Sequence, residues 1–213
     1  MTEIQATEYH LILLRHGESV GNAEGIHQGQ SELPLTAKGV AQAQALANHW
    51  ISEGITFDRV ITSPQSRARQ TAEIVANTLG YEIEYDTIWM ERDIGIYTGL
   101  HLEEAKQKYP YPDFIHIYQP IGLTGESDWE LYLRGGQALQ SILHRPPGRY
   151  LIVSHGAILN MTLRAALGIT PQANFQGPRF RFENSAYASL TYNPKRHAWY
   201  VNGINERKHW IEE

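Results

Sequence analysis

Four consecutive apolar residues, 11–14, follow a polar opening stretch and stop abruptly at Arg15, His16 and Gly17. A run with no polar alternation predicts a strand covered on both faces. The same pattern recurs at 150–153, which ends on Ser154, His155 and Gly156. Val60-Ile61 and 83–85 predict two more short strands. Between these runs the apolar spacing lengthens to that of helices. Thr36 is placed to cap one whose apolar positions are Val40, Ala43, Ala47, Trp50 and Ile51. Ser63-Pro64 offers a cap and a first-turn proline for the next helix, with Arg67 near its start and Gly80 as its stop. A helix over 129–143 precedes the second histidine strand. At the end of the chain, 187–192 and 199–204 flank Asn193-Pro194 and read as an antiparallel pair.

Periodicity fades from 96 to 130, where Pro110, Pro112 and Pro120 interrupt the chain and 102–108 is the one short helix expected. A long irregular stretch inside a compact unit predicts an inserted cap. The expected organisation is therefore a single domain over 1–213 with that insertion. Strand–helix alternation predicts an α/β three-layer sandwich, its central sheet mainly parallel with helices on both faces. Such sheets bind ligands at the carboxyl ends of their strands, where Arg15, His16, Ser154 and His155 fall. Arg67 follows a third strand closely, and Glu91 is expected at the end of another.

Charge narrows the partners. Eighteen Lys and Arg against 23 Asp and Glu give a net charge of −5, which argues against nucleic acid or an anionic membrane as partner. Any anion must be held locally. The absence of cysteine removes disulfides, thiolate nucleophiles and Cys-based zinc sites and fits a reducing compartment. With a polar opening over 1–10 and no apolar stretch of spanning length, a cytoplasmic location is expected.

A phosphomonoester presents negative charge and several acceptor oxygens, so its site needs fixed donors. Arg15 and Arg67 supply guanidinium forks, and amides after Gly17 and Gly156 are candidates for backbone donors, the glycines allowing close approach. A neutral His16 imidazole can attack phosphorus without a separate base. His155 is suited to hydrogen-bond the transferred oxygens, and Glu91 to protonate the leaving oxygen and then activate water. Any one of these residues has an ordinary structural explanation. Two His-Gly pairs that each end an apolar strand, joined by an arginine beyond a third, argue against coincidence. The ten histidines do not form a metal pattern: His10, His49, His101, His116, His197 and His209 are scattered, and no His-Glu-x-x-His helix exists. No metal and no cofactor are expected.

These residues carry a resemblance. Leu14-Arg15-His16-Gly17-Glu18-Ser19, Asn22, Gln28-Gly29, Leu33-Pro34-Leu35-Thr36, Gly39 and Gln42-Ala43 resemble the opening of the histidine phosphatase superfamily. Ser63-Pro64, Arg67-Ala68 and Gln70-Thr71-Ala72 continue it. Glu91, Gly95, Gly99, Gly125-Glu126-Ser127 and Ser154-His155-Gly156 complete the pattern of its phosphoglycerate-mutase-like branch. The resemblance implies a phosphate pocket of Arg15, Asn22, Arg67, His155 and Gly156, with His16 as nucleophile and Glu91 as general acid and base. Its partner would be a small phosphomonoester; oligomeric state is left open. Ser19 stands where threonine is commoner and Gln65 where leucine is usual, and neither is expected to touch the pocket's charged groups.

Phosphatase and mutase share the phosphohistidine step. In the insertion the only Lys or Arg residues are Lys106 and Lys108, beside Glu103 and Glu104, which reads as a solvated helix face. The aromatics Tyr97, Tyr109, Tyr111, Phe114, Tyr118 and Trp129 are expected mainly to pack the insertion down. Phosphatase is therefore favoured. A mutase with Arg92, Arg179 and Arg181 as second-anion partners, or a non-catalytic phospho-ligand module, are the alternatives.

Overall fold

The computed structural model describes residues 7–210; the first six residues of the polar opening stretch lie outside them. Six strands form one sheet, β1 (Tyr9–Arg15), β2 (Arg59–Thr62), β3 (Ile83–Tyr85), β4 (Gly148–Ser154), β5 (Tyr187–Asn193) and β6 (Ala198–Glu206), in the order β3-β2-β4-β1-β5-β6. The first four in that order run parallel, β5 is antiparallel to β1, and β6 is antiparallel to β5. The apolar runs are explained by burial on both sides. Leu11, Leu13, Tyr150 and Ile152 pack against one helical layer, α5 (Asp128–Leu143) and α6 (Gly156–Ala166). Their neighbours Leu14, Leu151 and Val153 pack against the other, α2 (Ala37–Ser52) and α3 (Ser66–Leu79). The expected α/β sandwich is thus present, with a mixed sheet whose parallel part holds both histidine strands.

Local signals set most boundaries, beginning with the short α1 (Val20–Ala23), which Ser19 caps. Thr36 Oγ1 accepts from Gly39 N at the start of α2, and Gly80, at φ 79°, ends α3 in the left-handed region open to glycine. Two readings of side-chain role fail. Val40 and Ile51 face solvent, while Gln42 and Leu46 take buried places on α2. Ser63 does not cap α3: the helix begins at Ser66 with Gln65 in the cap position, because Ser63 is committed elsewhere.

Glu91 also departs from expectation. It lies beyond β3, after a short 3-10 turn at Thr87–Trp89, and not at a strand end. Segment 96–130 contains α4 (Leu102–Lys108), the end of a 3-10 turn at Gly95–Tyr97 and the start of α5, with irregular chain between them. Tyr97, Ala105 and Ile121 form a small separate core there with Phe175 against it. Among the described residues no helix is long and apolar enough to cross a membrane.

Candidate active site

Parallel register brings the two histidines together. Arg15 pairs with Ser154 across β1 and β4, so His16 and His155 emerge side by side. His16 N donates to Ser154 O at 3.0 Å, and the two rings lie 5.2 Å apart. β2 pairs with the other edge of β4, which sets Ser63 beside His155. The crevice sits where the chain leaves β1 toward one face and β4 toward the other, the place where a doubly wound sheet opens.

Each imidazole is oriented by one bond. His16 Nδ1 lies 2.7 Å from Gly17 O, a carbonyl that can only accept, so Nδ1 carries the proton and Nε2 keeps its lone pair. His155 Nε2 is 2.8 Å from Ser63 Oγ, and its Nδ1 is buried without a partner. Both rings are held well below the ordinary histidine pKa. The largest cause is burial, followed by the charges of Arg67 and Arg15, with His16 adding to the effect on His155. Both are neutral near pH 7.

The cations are equally enclosed. Arg67, 1% exposed, donates to Gly29 O at 2.8 Å and Ser31 O at 2.9 Å, and burial pulls its pKa down to about 10. Arg15 donates to Phe182 O at 2.6 Å, and its pKa is lowered, again mainly by burial. The Nε of each guanidinium is buried without a partner. Two largely desolvated cations whose hydrogen bonds go only to carbonyls, with the Glu91 charge acting on both, lie beside two neutral imidazoles and form a site that favours an anion. Asn22 Oδ1 takes donors from Ser19 N at 3.2 Å and Asn184 Nδ2 at 3.0 Å, which turns its own amide nitrogen the other way.

The backbone donors differ from the sequence reading. After Gly17 the amides are already used: Gly17 N by Thr71 Oγ1, Glu18 N by Gln42 Oε1, Ser19 N by Asn22 Oδ1 and Val20 N by Pro34 O. Gly17 is required by packing, since a Cβ there would stand 2.5 Å from Gly39 O. At α6 the amides of Ala157 and Ile158 are taken by the Glu91 carboxylate, at 3.2 and 3.3 Å. Glu91 thus occupies a helix N-terminus, where the dipole suits a negative charge. Gly156 keeps room, its nearest would-be Cβ contact being Arg15 Nε at 3.8 Å.

Several supporting residues escaped the sequence reading. Asn184 Nδ2 reaches His16 O and Gly17 O as well as Asn22. Arg134 pairs with Glu126 through two bonds and donates to the carbonyls of Ile88, Met90 and Glu91, clamping the Glu91 loop. Gln65, fully buried, accepts from Glu91 N at 2.6 Å and donates to Gly29 O at 3.1 Å. Ser19 Oγ lies 2.8 Å from Asn22 Oδ1. Both departures from the family pattern therefore bond to neighbours of the pocket, through the neutral Asn22 amide and the Glu91 and Gly29 backbone, and neither bonds to one of its charged groups.

A cavity of about 630 Å³ adjoins this cluster at Gly156 and Ala157. Of the aromatics in 96–130, Tyr97 and Tyr111 line it, while Tyr109, Phe114 and Tyr118 are substantially exposed. Lys106 and Lys108 pair with Glu103 and Glu104, each at 2.6 Å, on the exposed face of α4. Arg92 is paired with Asp128 and Arg181 with Glu183, so two of the three arginines considered for a second anion are already neutralised.

Comparison with known proteins places this geometry. The model for the histidine phosphatase superfamily (branch 1) matches residues 11–206. A Cronobacter sakazakii protein named "Probable phosphoglycerate mutase GpmB" is 35% identical over 205 residues, covering 94% of this chain and 89% of its own. A phosphoserine phosphatase of Entamoeba histolytica, in complex with phosphoserine, superposes with a TM-score of 0.77 at 23% identity, over 95% of this chain and 100% of that one. A mycobacterial glucosyl-3-phosphoglycerate phosphatase with bound VO3 gives 0.76 at 22%, over 92% and 99%. The last two likenesses concern the fold.

Proposed function

This chain belongs to the histidine phosphatase superfamily, and from that membership we propose that it hydrolyses a small phosphomonoester through a phosphohistidine on His16, without a metal. The observation that carries the reading is the His16 tautomer: Nδ1–H is spent on Gly17 O, which leaves a neutral Nε2 lone pair in the pocket shared with Arg15, Arg67 and His155.

In this reading Nε2 attacks phosphorus while the ester P–O bond breaks, and the Glu91 carboxyl passes a proton to the leaving oxygen. Water then attacks the phosphoramidate. Glu91 takes the water proton, the N–P bond breaks, and inorganic phosphate leaves with the imidazole neutral again. Arg15 and Arg67 hold the equatorial oxygens, with Asn22 Nδ2 and Gly156 N as further donors. If the Ser63 hydroxyl donates to His155 Nε2, His155 Nδ1 carries a proton and donates it to the same oxygens without being charged. Residues 96–130 act as a cap over this cluster, within one domain.

The mutase reading draws on the name of the relative from Cronobacter sakazakii. Against it, both insertion lysines are paired on an exposed face and Arg92 is tied to Asp128, so three of the cations considered for retaining a small bisphosphate are already engaged. The test is phosphate release measured against isomerisation of 3-phosphoglycerate, with and without bisphosphoglycerate. Hydrolysis without efficient isomerisation is expected; efficient isomerisation overturns the choice.

A further inference from the structure

α6 runs from the histidine cluster along the floor of the adjoining cavity. Gly156, Asn160 and Arg164, spaced four apart, lie on its cavity face, while Ile158, Leu159 and Leu163 pack into the core. Eight residues at a rise of about 1.5 Å each put Arg164 about 12 Å along the axis from Gly156.

Arg164 is 4% exposed. Its Nη2 donates to Thr170 O at 2.7 Å, its Nε is buried without a partner, and among the described residues no carboxylate is paired with it. That sets it apart from Arg92 and Arg181 on the same wall, which are paired with acids, and from Arg179, which also lacks an acid partner but is exposed and donates to Phe175 O. A buried guanidinium with no counter-charge is costly, and an anion arriving from the cavity removes the cost. Tyr97, Tyr111, Phe175 and Phe180 line the same cavity. Asn160 fixes Phe180 by bonds to both its N–H and its C=O.

We propose that the substrate carries a second anionic group, held by Arg164 two turns along α6 from the phosphoryl group and joined to it by a flat apolar or aromatic body. The inference rests on the reading that the phosphoryl group binds beside His16. A phosphoglycerate is too short to reach both ends, so the proposal also selects a larger substrate than the mutase reading requires.

Two esters test it: 4′-carboxybiphenyl-4-yl phosphate, whose rigid body spans roughly the required distance, and biphenyl-4-yl phosphate, which lacks the carboxylate. Wild-type enzyme is expected to prefer the first by about ten- to a hundredfold in kcat/KM, chiefly through KM, as suits a charged hydrogen-bonded pair. Arg164→Met is expected to abolish the preference while leaving the neutral ester within about twofold. Arg164→Lys keeps part of the preference and guards against misfolding of the first variant. No preference in the wild type, or one that survives in Arg164→Met, overturns the proposal. Affinities of the two matching phosphonates, measured by calorimetry, read the same preference without turnover. If neither ester is hydrolysed, the phosphatase reading fails, and these affinities decide the Arg164 proposal separately.

Discussion

The bond from His16 Nδ1 to Gly17 O both selects the nucleophilic tautomer and, with Asn184 on the same carbonyl, fixes the ring's place. His16→Ala is expected to lower turnover of p-nitrophenyl phosphate by at least about 10³-fold with the fold retained; comparable rates in the two proteins would point to binding without catalysis. The imidazoles also link stability to pH. His16 and His155 are held well below the ordinary value of 6.5 by burial and neighbouring arginines, so on acidification the unfolded chain takes up these protons first. Stability is complete above about pH 6.5 and falls below it, by about 1.4 kcal/mol per pH unit for each histidine. Urea unfolding between pH 7 and 5 measures this, and His155→Gln should flatten the dependence; an unchanged slope contradicts the assignment. Gln65→Leu restores the residue usual in the family but strands Glu91 N, a loss of about 1–3 kcal/mol. Denaturant midpoints read that cost. Arg15, His16, Arg67 and His155 were legible because each ends or follows an apolar run, whereas Asn22 came only from the family resemblance. Gln65, Asn184 and Arg164 were not, because their meaning depends on which carbonyl or cavity folding sets against them.

At the scale of elements, the first turn of α6 and the first turn of α2 do different work. The amides after Gly17 and Gly156 were read as phosphate donors, yet α6 spends two amides on Glu91, and α2 presses Gly39 against the loop after β1. A Cβ on Gly39 would meet Glu18 O at 2.0 Å. Gly39→Ala is accordingly expected to destabilise the chain by about 1–3 kcal/mol or more and to disturb the His16 loop, as chemical denaturation and turnover would show. Glu91→Gln keeps an acceptor for the α6 amides while removing the acid and base. With p-nitrophenyl phosphate, whose leaving group needs no proton, it should give a stoichiometric burst of nitrophenolate followed by turnover slowed about 10²- to 10⁴-fold. A slow steady rate with no burst would mean that Glu91 does not serve the second step. The strands and long helices could be read from periodicity because both faces of β1 and β4 are covered. The start of α3 and the setting of Glu91 could not: a Ser-Pro pair looks like a cap unless Ser63 is known to face His155, and a 3-10 turn has no apolar signature.

For the whole molecule, the sheet order matters more than any one motif. Residues from β1, β2 and β4 and from the loop after β3 meet at one edge because these strands are parallel and in register. Residues 96–130 and the loop around Phe175 are joined through Asn174, whose N–H donates to Ile115 O and whose Oδ1 accepts from Ile115 N. Asn174 and Phe175 both adopt positive φ there, strain of the kind found beside ligand sites. Exhaustive chelation is expected to leave phosphatase activity intact; a loss restored by a divalent ion would require a different mechanism. The account rests most directly on where the phosphoryl group resides between the two half-reactions. Wild-type protein mixed with a labelled phosphomonoester, quenched rapidly and mapped by mass spectrometry should carry an acid-labile, alkali-stable adduct on His16 that is absent from His16→Ala. An alkali-labile acyl phosphate on Glu91 would contradict it.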